Sequence, residues 1–294
     1  MALTDWLQLL VMGIAQGAIF GLIGLGYVTI YRTSRVVNMA QGSFVMLGAL
    51  FAYSFLNELG WPFWLSGAVS VAGVVLVGLA MYQLVLRPII KMSLVGMILA
   101  TIALSILFEN LALLRWGGYG KGLPPFTGVK PLWVGDVAVA PQVLWVVGLT
   151  AAVLVALHIL ANYTRLGKQM TATATRPMAA SLCGISTNKM VLAAFAISAS
   201  VGALGGISIG SVVPVAYVSG GIFGLNGFVA AILGGWGSSM GAVLGGLTLG
   251  ILESLATGLM PAGYKNAVAF VLLLLILYFR PSGLLGKSAT EGED

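Results

Sequence analysis

The chain has 294 residues, 59% hydrophobic and only 7% charged, with a mean hydropathy of +1.04. A water-soluble domain carries roughly a quarter charged residues, so this composition excludes a chain that mostly faces water. A net charge of +6 and a pI near 9.6 would raise nucleic acid as a partner in a soluble protein. In so apolar a chain the basic residues are read first as markers of membrane orientation, and no nucleic-acid partner is expected.

Runs long enough to cross about 30 Å of hydrocarbon recur along the whole length. They fall at 6–31, 36–56, 62–86, 94–114, 141–161, 190–212, 226–237, 241–258 and 264–280. The predicted fold class is all-α, a polytopic transmembrane helical bundle of eight or nine spans. Stretches such as AVAFVLLLLILYF do not alternate, which excludes a transmembrane β-barrel. The run at 226–237 is short enough to form a half-span or re-entrant element instead. Asp5 stands where a secretory leader wants Lys or Arg, so the first run is expected to be retained.

With the N-terminus outside, the inner connections hold Arg32, Arg35, Arg87, Lys91, Arg165, Lys168, Arg176, Lys189, Arg280 and Lys287, ten of the fourteen basic residues. The positive-inside rule selects this orientation. It makes 162–189 a cytoplasmic loop and 115–140 an external one. Within the external loop, LWVGDVAVA reads as a small hairpin turning at Gly135-Asp136.

Glycines at spacings of four give three ladders: Gly13, Gly17 and Gly21; Gly202, Gly206 and Gly210; and Gly237, Gly241 and Gly245, continued by Gly246 and Gly250. Each places small residues on one helix face, as close packing in lipid favours. A faint internal echo links QGSFVMLGAL (41–50) with NGFVAAILGG (226–235), as duplicated transporter architectures would show.

Catalytic chemistry finds no constellation. His158 has no acid nearby in sequence, Cys183 is the single cysteine, and no acids are spaced for paired-carboxylate work. No metal site is predicted. The tail PSGLLGKS resembles a phosphate-binding loop, but Pro281 replaces its first glycine and no strand precedes it. The chain is therefore expected to be non-enzymatic, with no cofactor of its own. Glu109 and Glu253 lie within predicted spans, where acids are costly and are functional candidates by default. With Asn38, Gln41 and Asn226 they form the candidate translocation pathway.

One segment stands apart: TRLGKQMTATATRPMAASLCGISTNKM, residues 164–190, carries four cations and no acid. Thr175 is a fair N-cap and Pro177 suits the first turn of a helix that follows. Met178, Leu182 and Ile185 then form one apolar stripe, and Gly184 can close the helix. A helix this short needs a surface to form against. That surface is the bilayer, the chain's own bundle or a cytoplasmic ATPase.

The stretches GAIFGLIGLGYVTIYRTSRVVNMAQGSFVMLGAL, MAASLCGISTNKMVLAAFAISASVGALGGI, GLNGFVAAILGGWGSSMGAVLGGLTLGILESL and YKNAVAFVLLLLILYFRPSGLLGK resemble permease subunits of branched-chain amino-acid ABC importers, the LivH type. The resemblance covers nearly the full length in order. It implies a single permease domain over 1–294 in the bacterial cytoplasmic (inner) membrane, with a vitamin B12-importer-like arrangement. It implies import of a small amino-acid-like solute, branched-chain or otherwise hydrophobic. It further implies two ATP-binding subunits that hold ATP and Mg, a second related permease subunit or a second copy of the chain, and an external solute-binding protein. Thr175, Arg176, Pro177, Met178, Leu182 and Ile185 would then be the ATPase-coupling contacts. Relatives often read Asn-Phe-Ala-His-Gly-Glu where this chain has Asn38-Met39-Ala40-Gln41-Gly42-Ser43, which removes two titratable groups. The alternative reading is an ion-coupled secondary transporter working through Glu109 and Glu253.

Overall fold

The computed structural model describes residues 3–89, 93–128, 130–259, 265–280 and 282–285. Lys91, Pro281 and Lys287 lie outside the described residues. In chain order the helices are α1 (Leu3–Ser34), α2 (Gln41–Tyr53), α3 (Phe63–Ala80), a single turn α4 (Arg87–Ile89), α5 (Leu94–Trp116), α6 (Pro141–Tyr163), α7 (Arg165–Thr175), α8 (Pro177–Leu182), α9 (Thr187–Gly210), α10 (Ser219–Gly234), α11 (Ser239–Leu259) and α12 (Lys265–Phe279). Wider π-helical turns extend α2 over Ser54–Glu58 and α3 over Met81–Leu86.

Among the described residues six helical stretches are long and apolar enough to cross a membrane: Thr4–Ser34, Phe63–Ile89, Leu94–Trp116, Pro141–Tyr163, Thr187–Gly210 and Ser239–Leu259. They carry outward apolar side chains that suit lipid, among them Leu76, Leu114 and Leu144, each more than half exposed. Three expected spans are shorter. α10 has 16 residues, which at about 1.5 Å per residue reach about 24 Å, short of a full crossing. α12 contributes an apolar stretch at Ala269–Phe279.

The third is the run at 36–56, which is not one helix: α2 starts only at Gln41. Asn38 causes the delay. Its Oδ1 accepts from the Ala40 N–H at 3.1 Å and its carbonyl accepts from Gln41 N at 3.1 Å, a local turn that competes with helix. Arg35, with φ +58, reverses the chain just after α1.

The chain divides into two compact units. The first comprises residues 1–25, 124–154 and 226–294. Phe20, Val229, Ala230, Leu249 and Ala269 form a core there, covered by Leu272 and Leu273. The first glycine ladder meets α11: a Cβ on Gly13 would lie 2.8 Å from the Ile251 Cα, and one on Gly17 2.7 Å from the Leu247 Cα. Gly246 and Gly250 return the contact against Gly21 and Gly17. The third expected ladder divides. Gly237 lies outside the helix, Gly241 and Gly245 face α10, and Gly246 and Gly250 face α1. A step of about 100° per residue puts neighbouring glycines on two faces, so α11 is wedged between both. The hairpin forms where expected, β1 (Leu132–Val134) pairing antiparallel with β2 (Val137–Val139) around Gly135 at φ +62. Gln8 clamps it to α1, donating to the Ala138 carbonyl at 2.8 Å and accepting from its N–H at 3.2 Å.

The second unit comprises residues 26–123 and 155–225. α2 is its axis, buried on nearly every side against α3, α5 and α9. The second glycine ladder makes this possible. Gly202 packs on Phe44, Gly206 on Val45, and Gly210 on Ala49, while Gly48 faces the Ala203 backbone.

Candidate functional site: a polar seam and the coupling segment

Polar residues within spans are expensive, so where they gather is informative. In the second unit α5 carries Thr101, Ser105 and Glu109 four residues apart, hence on one face. Thr101 Oγ1 accepts from the Met39 N–H at 3.1 Å, and Ser105 Oγ lies 2.9 Å from Ser43 Oγ. Glu109 accepts a backbone hydrogen bond from Gly221, at the start of α10. A Cβ on Gly220 would come within 3.1 Å of Glu109 Oε1, so glycine there keeps the carboxylate against the helix start.

Beside this face, Gln41 is fully buried and bonded to Ser198 of α9. Asn38 is 1% exposed, and its Nδ2 has no hydrogen-bond partner among the described residues. A buried amide donor left open in this way costs energy unless something else accepts from it. Tyr27, also buried, donates to the Gly224 carbonyl at 3.0 Å. Three of the predicted pathway residues, Asn38, Gln41 and Glu109, therefore share one seam. Sequence reading missed Thr101, Ser105 and Ser198. The spacing of Thr101, Ser105 and Glu109 was the available signal for the first two, and Ser198 had none.

Asn226 and Glu253 belong to the first unit. Asn226 is 4% exposed, and Glu253 is fully buried with its Oε2 accepting from Gln16 Nε2 at 3.0 Å. Among the described residues no three His, Cys, Asp or Glu side chains are grouped to hold a metal. His158 is exposed and bonded to Asn162 one turn later, and Cys183 is exposed.

The basic segment is two helices joined at a corner. Thr164 caps α7, its Oγ1 accepting from Gly167 N at 3.1 Å, and Gly167, Met170 and Thr173 turn inward. Thr175 does not cap α8. It is the last residue of α7, and its hydroxyl donates to the Thr171 carbonyl at 3.0 Å. Arg176 takes the N-cap position at φ −144 and ψ 86, without a side-chain bond. A residue before proline is pushed out of the helical region, so Pro177 both breaks α7 at Arg176 and begins α8.

Gly184, at φ +79, ends α8: Ile185 N donates to the Ala180 carbonyl and Gly184 N to the Ser181 carbonyl, both at 3.0 Å. This paired bonding is the Schellman closure that a left-handed glycine permits. α8 leans on the bundle through Ala180 alone, leaving Met178 80% and Leu182 84% exposed. Ile185 is half-buried, so the stripe shows two outward members rather than three. Arg165, Lys168, Arg176 and Lys189 are all exposed.

A bundle of apolar helices with a buried polar seam and an outward basic hook is the framework of a membrane transport subunit. Residues 9–277 match the family described as "Branched-chain amino acid transport system / permease component", and the chain belongs to that family. It is 30% identical to the high-affinity branched-chain amino acid transport system permease protein LivH of Salmonella typhimurium, over 97% of each chain. It is 28% identical to BraD, the corresponding permease protein of Pseudomonas aeruginosa, again over 97% of each. In fold it is similar to PsaBC from Streptococcus pneumoniae, solved in complex with Fab, with a TM-score of 0.52, 16% identity, and 94% and 92% of the two chains covered. The protein is thus a transmembrane permease subunit of an ABC importer, a multi-pass protein of the inner membrane.

Proposed function

We propose that this permease carries a branched-chain or similarly hydrophobic amino acid into the cell, driven by ATP and Mg held on two separate ATP-binding subunits. It pairs with a second related permease or with a copy of itself, in a vitamin B12-importer-like arrangement, and receives solute from an external binding protein. The chain itself performs no catalysis. The named relatives, matched over almost their whole length, support the solute class.

The observation that carries the coupling assignment is the exposure of Met178 and Leu182 on a hook that bears cations and no acid. Exposed apolar side chains rimmed by charge mark a protein contact. In this reading ATPase closure pushes on Arg176, Pro177, Met178 and Leu182, with Thr175 and Ile185 at the margins. α7 passes the movement to the bundle through its inward face. The seam around Asn38, Gln41 and Glu109 then lines the path in one of the two openings, with Asn226 and Glu253 as further polar positions along it.

The test is purification in mild detergent from the native membrane, with mass spectrometry of what accompanies the chain. An ATP-binding subunit recovered with the parent chain and lost from Met178→Ser/Leu182→Ser supports the assignment. Undiminished recovery with that variant refutes it.

A further inference from the structure

A cavity of about 610 Å³ opens within the second unit, bordered by the end of α1, the π-helical turn after α3, the end of α7 and the start of α9. Among the described residues two arginines line it, Arg35 and Arg87, and no acidic residue does. Asn188 adds an amide whose Oδ1 accepts from the Tyr82 hydroxyl at 2.8 Å and whose NH₂ supplies two donors. Tyr82, Val191 and Pro177 supply apolar wall. The lining therefore offers positive charge and an amide donor together with hydrocarbon, while the hydroxyls of Thr33, Ser34 and Thr173 donate to carbonyls of their own helices.

The backbone at Arg35 is the second, independent observation. Among the described residues it is the sole non-glycine with positive φ, at +58. The position just past a helix end is where glycine normally sits, and a residue with a Cβ is strained there because the Cβ crowds the following carbonyl oxygen. Strain of this kind persists where the side chain is needed in place. Here the residue held is an arginine that lines the cavity, with its guanidinium 5.5 Å from the Tyr31 ring centroid.

We infer that this cavity binds the phosphate headgroup of an anionic phospholipid between Arg35 and Arg87. Arg35 directly follows one apolar stretch long enough to span, Thr4–Ser34, and Arg87 lies in the last turn of another, Phe63–Ile89, which puts both at headgroup depth. Basic pockets between membrane helices suit such headgroups. Guanidinium forks match phosphate oxygens, and the apolar wall fits the adjoining glycerol and first methylenes. Headgroup binding rests on the cavity alone. Its influence on transport rests additionally on the proposed coupling role of α8, because Pro177 is part of the wall.

The experiment is native mass spectrometry of the detergent-purified chain with equal phosphatidylglycerol and phosphatidylcholine added. Arg35→Gly and Arg87→Gln are compared with the parent. Glycine suits φ +58, so the first variant keeps its fold and separates binding from stability. The expected result is preferential retention of phosphatidylglycerol, reduced roughly fivefold by each substitution. Equal retention of both lipids, or retention unchanged in the double variant, overturns the site. Saturable binding of glycerol 3-phosphate without phosphatidylglycerol retention would assign the cavity to a free phosphate ester and overturn the lipid. Loss of the ATP-binding subunit from Arg35→Gly with lipid retention intact would make the arginine a protein contact and equally overturn it.

Discussion

The Ser198 hydroxyl donates to Gln41 Oε1 at 2.6 Å, and Gln41 Nε2 donates back to the Ser198 carbonyl at 3.1 Å. This reciprocal pair joins the first residue of α2 to the middle of α9 with no exposed surface at either side chain. Gly26 of α1 completes it: its carbonyl lies 2.8 Å from Ser198 Oγ, and a Cβ there would overlap the Gln41 amide. Gln41→Leu removes the amide that donates to the Ser198 carbonyl, while the Ser198 hydroxyl keeps the Gly26 carbonyl as acceptor, and is expected to cost about 1 kcal/mol. Thermal unfolding in detergent measures it. Gly26→Ala should lower the transition too, while Gly122→Ala, with open space around it, should not.

The α1–α11 contact predicts a second pattern. A Cβ on Gly250 would overlap the Gly17 backbone, which no rotamer change can relieve. Gly250→Ala should therefore separate the two helices and destabilise the first unit by about 1–3 kcal/mol. Gly148→Ala on α6 meets nothing within 4 Å and serves as the control. Equal melting of the two variants would show that the glycine stripe is not a close-packed seam.

Reversing one charge on the hook tests the direction of coupling. Arg176 is exposed and makes no side-chain cap, so Arg176→Glu should leave stability within about 0.5 kcal/mol of the parent. Solute uptake should fall if the ATPase surface is acidic. Unchanged uptake would remove Arg176 from the contact. Gly184→Ala forces φ +79 on a residue with a side chain. It should loosen α8 locally, at a cost of about 1–2 kcal/mol.

Glu58 and Arg115 form an ion pair at 2.6 Å, beyond the apolar part of their helices and partly in water. The Arg115 hydrogen bond holds the Glu58 carboxyl below its ordinary value of 4.5. A lowered folded-state pKa means the stabilisation is present above about that value and is lost as pH falls through the lower one. The melting difference between the parent chain and Glu58→Gln should thus be small at neutral pH, vanish in strong acid, and shrink in high salt because the pair is exposed. A difference that grows on acidification would contradict the sign.

Much of the framework was legible because it follows from composition and local rules. Long apolar runs, the Gly135-Asp136 turn, the Pro177 helix start and the Gly184 closure each depend on a few neighbouring residues. The errors have local causes of another kind. At Thr175 the boundary fell one residue later, because Pro177 pushes the residue directly before it, Arg176, out of the helical region and so makes it the cap. At 36–56 the Asn38 side chain captured the backbone and delayed α2 in an otherwise apolar run.

By itself the sequence determined that the chain lives in a membrane, that it is helical, and that a basic acid-free hook interrupts it. Those properties come from the cost of exposing apolar groups to water and of placing charge in lipid, which act residue by residue. Tertiary structure alone decided which polar residues meet. Thr101, Ser105, Glu109, Asn38 and Gln41 became one seam because α2 and α5 pack side by side, and Arg35 and Arg87 came to line one cavity across 52 residues of sequence. Contacts at such separation depend on how helices pack in three dimensions, and no local pattern along the chain records it.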